Sequence, residues 1–389
     1  MARLKAFLRL CIANGVVLAV LLAVLNGFCW VLISGYNTVR YDILEVASDS
    51  RAELPVYDDR ALARQIYQEH RAIPVRFRSY VDWRREPYQG RHTTVDAGGS
   101  RRHFEPSVPL SGKTIGVFGG STVWGTGVAD ADTIPAQLQA ALPGVVVFNE
   151  GESGYMSRNS LDRLINLANQ NQMPDVVIFY DGVNDIEHQC EPGSRINAHH
   201  FEDQINRGLE WQAQGKGQSL AVMLGRIGDM VFLEHTRDMA QRIVKRSRMM
   251  AGKEGVQAIE VHWMCAGDSR RTRQVVSTLI ENWRIAHAIV TARGGHFLAV
   301  LQPNAYIGRH RTDYLTLDDR QRAEYLAVYA ELRRQLAERP MSWVVDFTDS
   351  LDVLAENPVF TDFCHLGVAG NRQVAQRLLA QVKPLLGGG

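Results

Sequence analysis

The chain has 389 residues, 46% of them hydrophobic, which is enough for one large domain or two ordinary ones with a sizeable core. Basic and acidic side chains nearly balance, leaving a formal net charge of +1. That balance excludes the long-range field expected of a nucleic-acid binder or of a partner for acidic surfaces. There is no internal repeat, heptad run or low-complexity tract.

From Leu10 to Thr38 no side chain is charged, and "VVLAVLLAVLNGFCWVLI" is strongly apolar. A helix needs about 20 such residues to cross the hydrocarbon core of a bilayer. Arg3, Lys5 and Arg9 precede the run, which favours a cytoplasmic N-terminus. Trp30 and Tyr36 lie toward its far end, where amphipathic aromatics prefer the interface. The competing reading is a cleaved signal peptide. The apolar core is long for one, and no small-x-small cleavage site follows it. Cys29 follows Phe28 and not a small residue, which speaks against a lipoprotein site. Residues 1–36 are read as a single-pass transmembrane anchor, with the remaining chain in the periplasm or outside the cell.

Residues 37–112 read as a stem. "RAELPVYDDRALARQIYQEHRAI" reads as a short amphipathic helix, and "RHTTVDAGGSRRHF" as two strands around a Gly-Gly turn. Pro106 and Pro109 punctuate its end.

From Lys113 strand and helix alternate. "KTIGVFG" is a short buried strand. "DTIPAQLQAAL" is a helix with Asp132 as N-cap and Pro135 in its first turn. "GVVVFNEG", "PDVVIFYDG", "HFLAVLQP" and "SWVVDFTD" are further strands. "SRNSLDRLINLANQ", "RQVVSTLIENWRIAHAIVTA", "RQRAEYLAVYAELRRQLAE" and "NRQVAQRLLAQVKPLL" are the helices between and after them. Continuous Val/Ile/Phe runs alternating with helices predict a parallel sheet covered on both faces. In such sheets ligands bind beyond the carboxyl ends of the strands. "FGGS", "NEGESG", "YDGVND" and "FTDFCH" all fall at or just after such ends.

An interruption at about residues 190–268 is too long for an ordinary loop and carries helical periodicity, as in "SLAVMLGRIGDMVFLEHTRDMAQRIVKR". It reads as a lid, a partner-binding subdomain or a membrane-surface element. Met223, Ile227, Met230 and Val231 favour packing over a membrane face. Cys190 and Cys265 flank the stretch, either as a disulfide at its base or as buried free thiols.

"IGVFGGSTVWGTG" raises the question of chemistry. No lysine follows the glycines, so it is no phosphate loop, and the dinucleotide fingerprint is absent. The nucleophile elbow G-x-S-x-G is half present: Gly119, Gly120 and Ser121 fit, and Val123 replaces the last glycine. A serine hydroxyl needs a base to take its proton. Asp362 and His365 form D-x-x-H near the C-terminus; the imidazole can be that base, and the carboxylate can hold it by one nitrogen. A glycine of "NEGESG" and the amide of Asn184 in "GVND" add donors which, with the N–H of Ser121, make a three-donor oxyanion hole.

Four blocks in this order resemble the SGNH (GDSL-type) hydrolases, from about Lys113 to the C-terminus. The resemblance implies a flavodoxin-like three-layer α/β/α fold with a mostly parallel five-stranded sheet, residues 113–389 being the hydrolase domain. "GGST" makes Ser121 the nucleophile. "NEGESGYMS" matches at Gly154 as an oxyanion donor, with Gly151 upstream. "YDGVND" makes Asn184 the other donor, and "TDFCHLG" supplies Asp362 and His365. No cofactor or metal is implied. Gly120 stands where the namesake aspartate usually does; that aspartate is not a triad member. Trp124 either walls an acyl pocket or belongs to the core. His188, Cys190, His199 and His200 lack the spacing of a zinc site. Asp185 reads as a brace beneath Asn184, and Asp181 and Glu152 as polar loop residues near the cleft.

The reading is therefore a serine esterase that cleaves carboxylic esters. Its location suggests O-acetyl groups of an exported or cell-surface glycan. The alternatives are an O-acyltransferase on such a glycan, or a noncatalytic subunit of an envelope polysaccharide complex. The partners implied are an ester-bearing substrate such as an acylated glycan, the membrane through the N-terminal helix, and an envelope protein through the insertion, with no nucleic acid.

Overall fold

The N-terminal residues form helix α1 (Ala2–Asn37), in which Arg3, Lys5 and Arg9 lead the uncharged run; the helix is long and apolar enough to cross a membrane. The computed structural model describes residues 2–39, 49–102, 112–191, 193–215, 235, 236, 239, 243 and 263–387. Pro106, Pro109, Met223, Ile227, Met230 and Val231 lie outside the described residues. Two units are distinguished, one drawn from Met1–Ala47 and His200–Glu260, the other from Ser48–His199 and Val261–Gly389.

In the first unit, α1 buries Asn26, Cys29 and Ile33, which share one helical face, while Leu25, Phe28 and Trp30 stay exposed. The Asn26 side-chain oxygen accepts from the backbone N–H groups of His235 and Thr236 at 2.9 and 3.1 Å. A polar group in an apolar helix is thus satisfied by residues of the insertion.

The second unit begins with a 3-10 turn at Ser50–Glu53. Helix α2 (Arg60–Ala72) starts only at Asp59, whose carboxylate accepts from the N–H of Leu62 at 3.0 Å. The helix expected from Arg51 onward is shorter than its sequence pattern because Pro55 disfavours helical backbone at Leu54, which is extended. Ala63, Ile66, Tyr67 and His70 form the buried face of α2. Strands β1 (Val75–Arg78) and β2 (Asp82–Arg85) pair as an antiparallel hairpin. Next, β3 (Tyr88–Gln89) pairs with β4 (Thr94–Val95). Across the Gly-Gly turn, among the described residues, a single bridge between Val95 and Arg101 stands where two strands were expected. The Asp96 carboxylate takes the N–H groups of Gly98 and Ser100 at 2.8 and 2.9 Å, and the N–H groups of Asp96 and Arg102 donate to the Ser100 and Thr94 carbonyls at 2.9 Å, so side chain and backbone hold the turn together.

The alternating elements follow: β5 (Thr114–Gly119), α3 (Ser121–Trp124), α4 (Ile134–Ala140), β6 (Val146–Asn149), α5 (Ser157–Asn169), β7 (Val176–Asp181), α6 (Val183–Cys190), α7 (Glu202–Gly215, in the first unit), α8 (Ser269–Ala292), β8 (His296–Leu301), α9 (Asp319–Glu338), β9 (Val344–Asp346) and α10 (Val368–Leu386). The N-cap of α4 is Thr133, which accepts from the N–H of Ala136 at 3.2 Å; Asp132, the expected cap, ends a 3-10 turn one residue earlier. Pro135 sits in the first turn.

The sheet order is β6-β5-β7-β8-β9, and every pair is parallel. This is the 2-1-3-4-5 order of flavodoxin-like sheets. Side chains of one strand alternate between faces. Val177 and Phe179 of β7 pack with α5, α8 and α9, whereas Ile178 and Tyr180 pack with α4 and α10. Continuous apolar runs therefore serve two cores at once, and the expected three-layer α/β/α architecture is present. Cys190 and Cys265 form a disulfide with Cα atoms 5.3 Å apart, which closes the base of the insertion.

Candidate active site

Strand β5 ends at Gly119, and Gly120 precedes the first helical residue, Ser121. A Cβ on Gly120 would lie 2.2 Å from the Asn184 amide nitrogen. The amide occupies the room that a side chain would need, so the absence of aspartate here matches the placement of Asn184.

The Ser121 hydroxyl oxygen lies 2.6 Å from His365 Nε2. His365 Nδ1 lies 2.6 Å from Asp362 Oδ2. With a carboxylate beside Nδ1, that nitrogen carries the proton and Nε2 offers its lone pair to the serine. The spacing works because Asp362 folds its own loop. Its Oδ1 accepts from the N–H groups of Cys364 and His365 at 3.0 and 2.8 Å, which leaves Oδ2 for the ring. The N–H of Thr361 donates to the His365 carbonyl at 2.8 Å and closes the turn. Burial opposes ionisation of Asp362. The His365 charge and hydrogen bond, with the two N–H groups, outweigh it and hold the carboxyl well below the usual range.

The block carrying Gly154 is laced onto the end of β5: the N–H of Glu152 donates to the Gly119 carbonyl at 3.0 Å. Gly154 has φ +79°, and a Cβ there would meet the Trp83 ring at 3.1 Å. Asn184 donates to the Tyr155 carbonyl at 2.8 Å, so its amide spans from Gly120 to the residue after Gly154. Gly151 packs against α3, where a Cβ would be 2.6 Å from the Trp124 nitrogen. Ser121, Asp362 and His365 are therefore brought into direct contact, and Asn184 lies against the residue before Ser121.

Asp185 is buried and accepts from the Ser157 hydroxyl at 2.6 Å and the Ser157 N–H at 3.1 Å, tying α6 to the first turn of α5. One expectation is corrected. Asp181 is not a loop residue at the cleft; it is the buried end of β7, bonded by Trp283 Nε1 at 3.0 Å. Burial, and then the Asp185 charge, push its carboxyl well above the ordinary value. Glu152 is also buried, paired with the Arg85 guanidinium and accepting the Arg85 N–H at 3.0 Å. The partner of Asp181 is remote in sequence, which is why a local reading misplaced it; Glu152 does lie in the loop after β6, held there by an equally remote arginine.

Trp124 belongs to the core. It is fully buried, with the Arg85 guanidinium 3.7 Å and the Arg101 guanidinium 4.6 Å from its ring centroid and His70 edge-on at 4.6 Å. Arg101 also donates to the carbonyls of Trp124, Gly125 and Val128 at 2.9, 2.7 and 2.6 Å, which fixes the turn after Ser121. Among the described residues, the groups with metal-ligand spacing are Cys190, Cys265 and Glu324, and Asp362, Cys364 and His365; none contains His188, His199 or His200. His199 pairs with Asp82. Sequence reasoning missed Arg51, which donates to Asp362 Oδ2 at 3.2 Å from the segment read as a stem. No local pattern marks it.

A hydroxyl, an imidazole and a carboxylate in line at the carboxyl end of a parallel sheet have the geometry of a serine hydrolase centre. The chain belongs to the GDSL-like lipase/acylhydrolase family, whose model matches residues 117–373. That span includes all four blocks. Among solved structures, the chain is similar to a member of the lipolytic protein G-D-S-L family from Veillonella parvula DSM 2008, with 15% identity, 69% of this chain and 97% of that one covered, and a TM-score of 0.36. It is similar to the lipase/acylhydrolase from Enterococcus faecalis, with 12% identity, 70% and 96% coverage, and a TM-score of 0.35. It is also similar to an acetyl xylan esterase, with 13% identity, 69% and 99% coverage, and a TM-score of 0.35. No curated protein sequence matches the chain.

Proposed function

We propose that this protein is a serine ester hydrolase whose nucleophile is Ser121. The Ser121 oxygen attacks the ester carbonyl while His365 takes its proton and Asp362 holds the imidazole. The oxyanion is received by the N–H groups of Ser121 and Gly154 and the Asn184 amide, each donor contributing up to about 3–4 kcal/mol of transition-state stabilisation. His365 returns the proton to the leaving alcohol. Water then attacks the acyl-enzyme with His365 again as base, releasing the acid and restoring Ser121. The observation that carries the reading is the pair of 2.6 Å contacts joining Ser121, His365 and Asp362.

The substrate class we favour is an O-acetyl ester on an exported or cell-surface glycan. It rests on location: α1 is long enough to span a membrane, basic residues precede its apolar run, and the Cys190–Cys265 disulfide suits an oxidising compartment. In this reading residues 1–36 anchor the chain with its N-terminus in the cytoplasm, and the hydrolase domain works on the other side.

The test is hydrolysis of nitrophenyl esters of increasing acyl length by the full chain in detergent. Wild type prefers short acyl groups, and Ser121→Ala and His365→Ala each lose about 10⁴-fold or more in kcat. Equal rates in wild type and Ser121→Ala overturn the proposal. Acetate release from an acetylated polysaccharide, absent in Ser121→Ala, tests the substrate class.

A further inference from the structure

We propose that Arg51 is a positioning residue for the Ser121–His365–Asp362 relay, a fixed cation from outside the family-matched region that holds Asp362 and keeps the imidazole free of a second proton. This rests on the esterase reading above and adds to it a residue that the four sequence blocks do not contain.

Arg51 is itself immobilised. Asp49 grips it twice, at 3.2 Å from Nε and 3.1 Å from Nη2. Its guanidinium lies 4.6 Å from the Tyr67 ring centroid. Asp49 in turn accepts from Arg71 at 2.7 Å, so the turn before α2 is tied to the end of α2. What remains of the guanidinium, Nη1, points at Asp362 Oδ2 from 3.2 Å, the same oxygen that receives His365 Nδ1. Oδ1 is already taken by two backbone N–H groups. The carboxylate is therefore held at both oxygens and cannot rotate away from the ring.

The charge has a second consequence. A positive group beside the carboxylate disfavours a proton arriving on the neighbouring imidazole. Other charged and titratable groups around the carboxylate and ring are Asp49 on the same turn as Arg51, Tyr57, Tyr67, His70 and Arg71 on and before α2, Glu187 on α6, and Cys364, whose sulfur lies 3.7 Å from His365 Nδ1 and whose thiol burial pushes well up, so it stays neutral. Tyr67 and Tyr57 share a hydrogen bond of 2.9 Å, and burial, first of all, raises both phenols, so neither adds charge near neutral pH. Burial likewise holds His70 well below its ordinary value, so it stays neutral. Glu187 is an acid whose ionised form pulls the other way, and burial, first of all, raises its carboxyl.

The experiment compares the full-length wild type with Arg51→Gln and Arg51→Lys. With nitrophenyl acetate, Arg51→Gln is expected to move the acid limb of kcat/KM upward by about half a pH unit or more. Its plateau kcat falls several-fold while KM holds. Arg51→Lys keeps the charge but not the two-point grip on Asp49. It restores the acid limb and leaves kcat low. In parallel, the rate of carbethoxylation of His365 by diethyl pyrocarbonate, read by mass spectrometry across pH, shifts in the same direction in Arg51→Gln. If wild type neither cleaves the ester nor labels with a fluorophosphonate, the esterase reading fails, and the carbethoxylation profile still decides the role of Arg51. Superimposable carbethoxylation profiles in wild type and Arg51→Gln overturn the proposal, whatever happens to thermal stability.

Discussion

The sheet and the segment from 49 to 102 are held by different forces. In the sheet, Ile115, Val117, Phe118, Val177, Ile178 and Phe179 are fully buried and apolar. In the segment before it, Arg84 and Arg101 are almost fully buried and pair with Glu150 and Asp130, and Arg85 pairs with Glu152. An apolar core loses stability in proportion to what is cut from it. A buried ion pair contributes little net stability when intact, yet is costly to break, because the surviving charge is stranded. The two regions therefore differ most in how they fail.

Removing one partner of a buried pair is the sharpest way to test that difference. Glu152→Ala strands Arg85 and is expected to cost about 3–5 kcal/mol. Ile178→Val in the sheet is expected to cost about 0.5–1.5 kcal/mol. Chemical denaturation of both variants checks this, and equal costs would collapse the distinction. A covalent tie behaves in a third way. Replacing Cys190 and Cys265 by serine is expected to cost about 2–4 kcal/mol by thermal unfolding, with ester hydrolysis retained in the folded fraction, since the disulfide is part of an apolar cluster with side chains of α8 and α9.

The smallest effect concerns a buried acid in the apolar region. Burial and then the Asp185 charge raise the Asp181 carboxyl well above its ordinary value. The native state keeps a proton that the unfolded chain releases above about pH 4, so this group lowers stability as pH rises toward its native value. Asp181→Asn removes that titration. Relative to wild type, the variant should gain stability between pH 5 and pH 8, measured by denaturant midpoints at the two values. A gap independent of pH would mean that Asp181 is ionised in the fold.

Legibility followed the range of the forces. The Asp362–His365 spacing was readable because one carboxylate closes its own turn through residues two and three ahead. The strands were readable because a two-sided sheet demands uninterrupted apolar runs. The cap of α4 was misread by one residue because Asp132 and Thr133 are both capping types, and the preceding 3-10 turn chose between them. Trp124 was ambiguous in sequence and became core once two arginines and a histidine enclosed it.

What the chain's own letters determined was the apolar N-terminal helix, the chain order of the five sheet strands, and the four blocks, three at strand ends and the fourth in the loop between β9 and α10. These depend on periodicity, turn chemistry and contacts within a few residues. Only the tertiary structure decided that Ser121 meets His365, that Arg51 reaches Asp362, and that Arg84, Arg85 and Arg101 turn inward. A charged side chain in sequence looks the same whether water or a distant carboxylate receives it, and only the folded chain supplies that partner.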